Sequence, residues 1–355
     1  MFDSKHYVPI LRWKQAEWLA LKNLSAGDRV RITPLIEITP RSVAPRKRRP
    51  TADQMLEKNV ADIRDNWGQT PAFVDLWHLS PPPNLNCGLH PLSFLSQVAR
   101  AQNVYLIPVT GLNRDGTFQS VISSVIASDK HGACFRLLGS DLYCSTLRND
   151  LDALLSQLGL EKGEVDLLVD CQYLEGACQD WGPSLARLHD LTCWRTFTLA
   201  SGAFPVDLRG FTVGQHLHPR LDWQSWRQQL APTSTLPRKP TYSDYTIQHP
   251  IYAEPPDRPN FSASIRYTTG NHWIIMRGEG VFSDGSPGFQ QWPANAQLLC
   301  ARPEFCGQHY SDGDRYIYAT SRQTEHTGSP GTWLQAGINH HLTFVARQIS
   351  NLYAP

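Results

Sequence analysis

Eight times along this chain a short apolar run alternates with a segment of helical spacing, and few architectures accept that rhythm. Runs rich in Val, Ile, Leu and Phe fall at 7–13, 32–38, 71–79, 104–112, 133–139, 165–174, 194–205 and 241–250. Between them, apolar residues three and four apart mark helices at 15–24, 52–66, 92–103, 118–129, 146–159, 182–191 and 222–230. A strand that is apolar throughout is buried on both faces, as in parallel sheets covered by helices. Eight such units predict an α/β chain folded as a (β/α)8 TIM-like barrel rather than an open sheet. The eighth helix is expected at 338–353, where Leu342, Val345, Ile349 and Leu352 share one face.

That placement leaves residues 251–336 between strand eight and helix eight. A βα loop usually takes about 2–6 residues. The insertion is therefore expected to form a cap over the C-terminal face of a barrel built from 1–250 and 337–355. Inside it, "ASIRYTTGNHWIIMRGEG" alternates like a hairpin turning at Gly270-Asn271, and "NAQLLCARPEF" reads as a short helix.

Composition narrows the function classes. The 355 residues carry a net charge of +1, so no overall field draws the chain to nucleic acid or membrane. No apolar run approaches the roughly 20 residues of a membrane span. The start, "MFDSKHYVPILRW", lacks the apolar core of a signal peptide, which predicts a cytoplasmic protein. The eight cysteines form no CxxC pair, so neither a disulfide framework nor a structural zinc site is expected.

Barrel chemistry gathers at the C-terminal ends of the strands. The charged residues there are Glu37, Asp75, Arg136, Asp170 and Asp244, and these are the candidate catalytic groups. Each adjoins residues that belong in a core, where an isolated charge costs several kcal/mol. Four carboxylates against one arginine predict a mouth of net negative charge. A divalent ion such as Mg2+ or Mn2+ on Asp75, Asp170 and Asp244 would relieve it, as would a cationic ligand or a raised carboxyl pKa. The other reading is structural, with Arg136 bridging Asp75 and Asp170.

Further candidates are ligand-binding. Ser201 and Gly202 follow strand seven, where barrels hold phosphate on backbone N–H groups; a tight turn closed by proline is the plainer alternative. Trp273 and Arg277, with Arg315 and Trp333, either close over a ligand or form the core of the cap. His340 and His341 are adjacent on a helix, so at most one faces the pocket. His341 is the candidate, with capping or packing as its plainer role. Residues 41–50, with Arg46, Lys47, Arg48 and Arg49, form a basic loop that either holds nucleic acid or is merely solvated.

The opening "YVPILRWKQAEWLALKNL…ITPLIEITP" resembles the beta protein family, named after a protein of a T-even bacteriophage. The matching positions are Tyr7, Pro9, Ile10, Lys14, Glu17, Pro34, Ile36 and Glu37. "FVDLWHL", "LIPVTGL", "FRLLG", "LLVDCQYL", "ASGAFPVDL", "YSDYTIQHP" and "GINHHL" are similar to later blocks of the same family. The resemblance implies a phage, mobile-element or defence setting and names no reaction.

Two functional expectations result. One is a hydrolase that binds a nucleotide-like or other phosphate-bearing ligand at the mouth and cleaves a phosphoester or N-glycosidic bond. The other is a non-enzymatic sensor or adaptor that recognises a protein or nucleic-acid partner through the cap and the 41–50 loop. Carboxylates close together around an open cavity favour the first, and carboxylates paired off by arginine favour the second.

Overall fold

The computed structural model describes residues 2–40, 50–253 and 260–353. The strands run β1 (Tyr7–Arg12), β2 (Leu35–Glu37), β3 (Ala72–Asp75), β4 (Leu106–Thr110), β5 (Ala133–Leu138), β6 (Val165–Tyr173), β7 (Thr196–Gly202), β8 (Gly214–Pro219), β9 (Thr241–Asp244), β10 (Ile265–Thr268) and β11 (His272–Arg277). The helices are α1 (Gln15–Lys22), α2 (Ala26–Arg29), α3 (Ala52–Asn66), α4 (Pro91–Ala101), α5 (Gly116–Asp129), α6 (Leu147–Leu158), α7 (Gly182–Leu185), α8 (Leu221–Gln228), α9 (Gln291–Cys300), α10 (Asp312–Ser321) and α11 (Pro330–Leu352). Strands β1 to β7 and β9 close into one barrel, each parallel to its neighbours, with β9 joining β7 to β1. The expected (β/α)8 architecture is the observed one.

Period-two alternation sorts the strand residues into two cores. Val8, Ile10, Leu35, Phe73, Ile107, Val109, Cys134, Leu168, Ala200 and Tyr245 fill the barrel. The intervening residues, among them Tyr7, Leu11, Ile36, Val74, Phe135, Val169, Phe197 and Tyr242, pack against the helices. Local signals place the helix starts. Thr51 Oγ1 accepts the Gln54 N–H while Gln54 accepts the Thr51 N–H, a capping box that opens α3. Asp115 caps α5 by accepting the Phe118 N–H, and Ser329 opens α11 with a second capping box through Thr332.

The structure departs from the sequence reading in several places. Helix α7 stops at Leu185, well short of the predicted helix over 182–191; its later leucines are buried through turns instead. The eighth barrel strand ends at Asp244 because Thr246 turns in the left-handed region at φ 59°. Strand β8 is additional. It pairs antiparallel with β11, whose other neighbour is β10, so the small sheet takes residues from both sides of β9. No residue of β8 is buried, and its GQHLHP sequence leaves no hydrophobic pattern to detect.

The predicted hairpin forms between β10 and β11, and α9 takes the first part of the predicted short helix, ending at Cys300 before "ARPEF". Ile265, Tyr267, Ile274, Met276, Trp292, Ile317 and Trp333 make the core of this cap. Helix α11 begins at Pro330, earlier than expected, and packs against both α1 and β10. It is thus both the eighth barrel helix and the anchor of the cap. No helix among the described residues is long and apolar enough to cross a membrane.

Candidate functional site

Glu37, Asp75, Arg136 and Asp170 meet at the C-terminal mouth of the barrel, and all four are buried. Arg136 donates from Nη1 to Glu37 Oε1 and to Asp75 Oδ2, both at 2.8 Å. Its Nε and Nη2 donate to Asp170 Oδ2 at 3.1 and 2.7 Å, and Nη2 also donates to the Tyr245 hydroxyl at 2.8 Å. Every N–H of the guanidinium is engaged. Tyr245 completes the network by donating its own proton to Asp170 Oδ2 at 2.6 Å.

The remaining carboxylate oxygens are also satisfied. Asp75 Oδ1 accepts the Trp77 N–H at 2.9 Å and Arg114 Nη2 at 2.5 Å. Asp170 Oδ1 accepts the Gln172 N–H at 2.9 Å. Glu37 Oε2 takes His78 Nε2 at 3.0 Å. Burial pushes against ionisation of Glu37, but the charge of Arg136 and the His78 contact outweigh it and pull its pKa down to about 2. Burial likewise opposes the charge of Arg136, yet Tyr245, Asp170, Glu37 and Asp75 hold its pKa well above the ordinary value.

This gives a signed pH prediction. Glu37 has a folded pKa below its ordinary 4.5, so its contribution is complete above 4.5 and is lost as pH falls toward 2. Urea titrations should find the parent more stable than Glu37→Gln at neutral pH. That gap should shrink by on the order of 3 kcal/mol between pH 4.5 and 2. A gap independent of pH would mean that Glu37 is not held ionised.

Asp244 is elsewhere. Ser243 and Tyr245 belong to the inward parity of this strand, so Asp244 points outward to the helix layer. Its Oδ1 accepts the Tyr7 hydroxyl at 2.5 Å and the Thr246 N–H at 2.9 Å, and its Oδ2 takes His341 Nε2 of α11 at 2.9 Å. Burial works against the charge, but His341, the Tyr7 hydroxyl and Arg220 hold the Asp244 pKa down to about 2. His341 passes the chain of bonds on to Thr268 Oγ1 at 2.8 Å. Its neighbour His340 lies between Asp314 and the Thr268 carbonyl. Both histidines are buried, and neither lines the mouth.

Two expectations are corrected here. The mouth is not net negative, because three carboxylates there meet Arg136 and Arg114, with Arg12 and Lys14 stacked on Tyr252 at the rim. The proposed Mg2+ or Mn2+ ligand set does not fit either. Asp75 and Asp170 are bound by arginine, Asp244 faces the other way, and no metal-holding cluster occurs among the described residues.

The other candidates are structural by placement. Ser201 is buried in β7. A Cβ on Gly202 would come within 2.6 Å of Pro250 Cγ and 3.1 Å of Tyr245 Cδ2. Glycine there admits the loop after β9 to the barrel top and does not cradle phosphate. Gly202→Ala is expected to cost about 1–3 kcal/mol through overpacking, measured as a lowered urea midpoint. Trp273 is fully buried and stacks on His218, while Arg277 donates to the carbonyls of Leu208 and Gly278. Trp333 stacks on Trp292 in the cap core, and Arg315 pairs with Asp312 on the surface. The basic residues Arg46 to Arg49 lie outside the described residues.

What remains open at the mouth is a cavity of about 160 Å³ walled by Glu37, His78, Arg114, Arg136, Tyr245 and Tyr252, among others. Beyond Trp77 and Arg114 lies a second cavity of about 350 Å³, bounded by His90, Pro82 and Phe118. Arg114 belongs to both walls. Its guanidinium sits 4.7 Å from the Trp77 ring and 5.1 Å from the Phe118 ring, and its buried Nε has no hydrogen-bond partner. His78 stands in the wall of the smaller cavity, held to Glu37 through Nε2. His78 and Arg114 were absent from the sequence candidates. Both stand in βα loops directly after strand ends, in "DLWHL" and "GLNRDG", where barrel sites are built.

The matched segments of sequence now have their structural reason. "FVDLWHL" carries Asp75 and His78, "FRLLG" carries Arg136, and "LLVDCQYL" carries Asp170. No curated protein matches the chain. The family model described as Beta protein matches residues 7–347, from the first barrel strand into the last helix, and the chain therefore belongs to the beta protein family.

Proposed function

We propose that the barrel mouth binds a phosphate-bearing, nucleotide-like ligand and that the chain acts on it as a hydrolase of a phosphoester or N-glycosidic bond. The observation that carries this reading is Arg114. It is a guanidinium with a buried, unpartnered Nε, held between two aromatic rings in the wall shared by two cavities. The larger cavity suits a planar base in size and aromatic lining. Arg114 suits the anionic oxygens. His78, oriented by Glu37, stands where it can take a proton from an attacking water. Arg136 has no donor left for a ligand, so its part is to position Glu37 and Asp75.

Calorimetric titration tests this. Nucleoside monophosphates should bind at least ~10-fold more tightly than the matching nucleosides, a difference of about 1.4 kcal/mol. Arg114→Lys, which keeps the charge beside Asp75 but not the planar fork, should erase most of that preference. His78→Asn should retain binding and stop turnover. Equal affinity for nucleoside and monophosphate would contradict the reading.

One observation favours the alternative of a non-enzymatic sensor or adaptor. The mouth charges are largely matched within the protein, as a scaffold requires. Under that reading the same titrations give no phosphate preference, and recognition moves to the cap and the 41–50 loop. The phage, mobile-element or defence setting is part of the proposal and rests on family membership. A cytoplasmic location is also part of it, and eight free cysteines suit a reducing compartment.

A further inference from the structure

A second cavity system lies in the cap, away from the barrel mouth. It measures about 370 Å³ and is walled by Phe261, Trp292, Trp333 and Leu334, with Arg266 as its charged residue. Trp292 and Trp333 are buried, their indole N–H groups engaged with the carbonyls of Ser264 and Thr327, and form the floor of the cavity, while the open apolar wall comes from Phe261, Leu334 and Pro330. Arg266 donates from Nη1 to the Ile247 carbonyl at 2.9 Å, and its guanidinium lies 4.8 Å from the Phe204 ring. No carboxylate pairs with it among the described residues, and its Nε and Nη2 make no hydrogen bond there. Burial, with no anion to counter it, draws its pKa down to about 10. The first turn of α11 borders the same space through Pro330 and Gly331 and adds the positive end of a long helix.

A cation placed against apolar walls without a counter-ion is costly unless something supplies the charge. We infer that the cap cavity is a binding site for a small aromatic carboxylate, its carboxylate on Arg266 and its ring against Phe261, Leu334 and Pro330. One guanidinium matches one negative charge. A phosphate dianion would bring a second charge into the apolar pocket with no second cation among the described lining residues. The site shares no lining residue with the mouth, so it stands or falls independently of the hydrolase reading.

The test is saturation-transfer NMR and calorimetry on the full chain with 2-naphthoate, its amide and inorganic phosphate. Naphthoate should bind at least tenfold more tightly than the amide, and phosphate should not compete with it. Arg266→Met should abolish the preference for the acid, and Arg266→Lys should keep part of it. Leu334→Trp, which fills the cavity with Arg266 in place, should abolish binding while leaving the protein folded. Arg114→Lys should bind naphthoate as the parent does. Equal binding of acid and amide, retention of the preference in Arg266→Met, or no naphthoate binding at 10-fold above the millimolar range would overturn the assignment.

Discussion

Replacing Arg136 with methionine is expected to remove at least ~4 kcal/mol of folding stability, the largest loss of any single change at the mouth. Methionine fills much of the space, so the loss is electrostatic. Asp170 would keep only the Tyr245 hydroxyl and the Gln172 N–H, while Asp75 would retain Arg114 and Glu37 would retain His78. Three buried carboxylates would then face one another without their common counter-charge. The account also predicts a rescue. Neutralising the two carboxylates left without an arginine in the same chain, with Glu37→Gln and Asp170→Asn while Asp75 keeps Arg114, should recover part of the loss, because a neutral buried group is cheaper than an unpaired charge. Urea titration of the two proteins at pH 7 decides it. If the triple variant is less stable than Arg136→Met alone, the network is not an ionic one.

The second large effect concerns Asp244. Asp244→Ala should cost about 3 kcal/mol, since it leaves the Tyr7 hydroxyl, the Thr246 N–H and His341 Nε2 without their shared acceptor in a dry site. These bonds tie the eighth strand to α11, and α11 also carries the cap through Thr268. Limited proteolysis should therefore cut the C-terminal helix and the cap sooner in this variant. Ligand affinity of the folded protein at the mouth should not change. An intact stability with lost mouth binding would return Asp244 to the rim.

Asp244 also shows where the sequence could be read and where it could not. The barrel was legible because its strands are buried on both faces, which writes them as apolar runs. The convergence of Glu37, Asp75, Arg136 and Asp170 followed from strand-end position alone. Whether a strand-end side chain faces the barrel or the helices is a matter of parity, and "TYSDYTI" offers hydroxyls on both parities beside its single charge. Inward Thr241, Ser243 and Tyr245 became evident only once the register Ala200 to Ser243 was known.

His78 and Arg114 were missed for another reason. They lie in loops, where no hydrophobic period marks them, and their value comes from what the neighbouring strands leave unsatisfied. Strand β8 escaped notice because its partner β11, not its own composition, makes it a strand. Arg266 and Arg277 were equally plain as arginines in the same hairpin. Only the cap's packing sets Arg266, with one carbonyl partner and a place in the cavity wall, apart from Arg277, which is held by the carbonyls of Leu208 and Gly278.

Under the proposed function two arginines divide the work at the mouth: Arg136 is closed into the carboxylate network, while Arg114, paired with Asp75 through Nη2, keeps an unpartnered Nε and a place in both cavity walls for a ligand. Side-chain Nε–H resonances of Arg114 and Arg136, assigned by substitution and followed during titration with a nucleoside monophosphate, test it directly. The account predicts that the Arg114 resonance shifts with saturation while that of Arg136, bonded to Asp170, stays in place. Movement of Arg136 with Arg114 unchanged, or no movement of either at millimolar ligand, would contradict it.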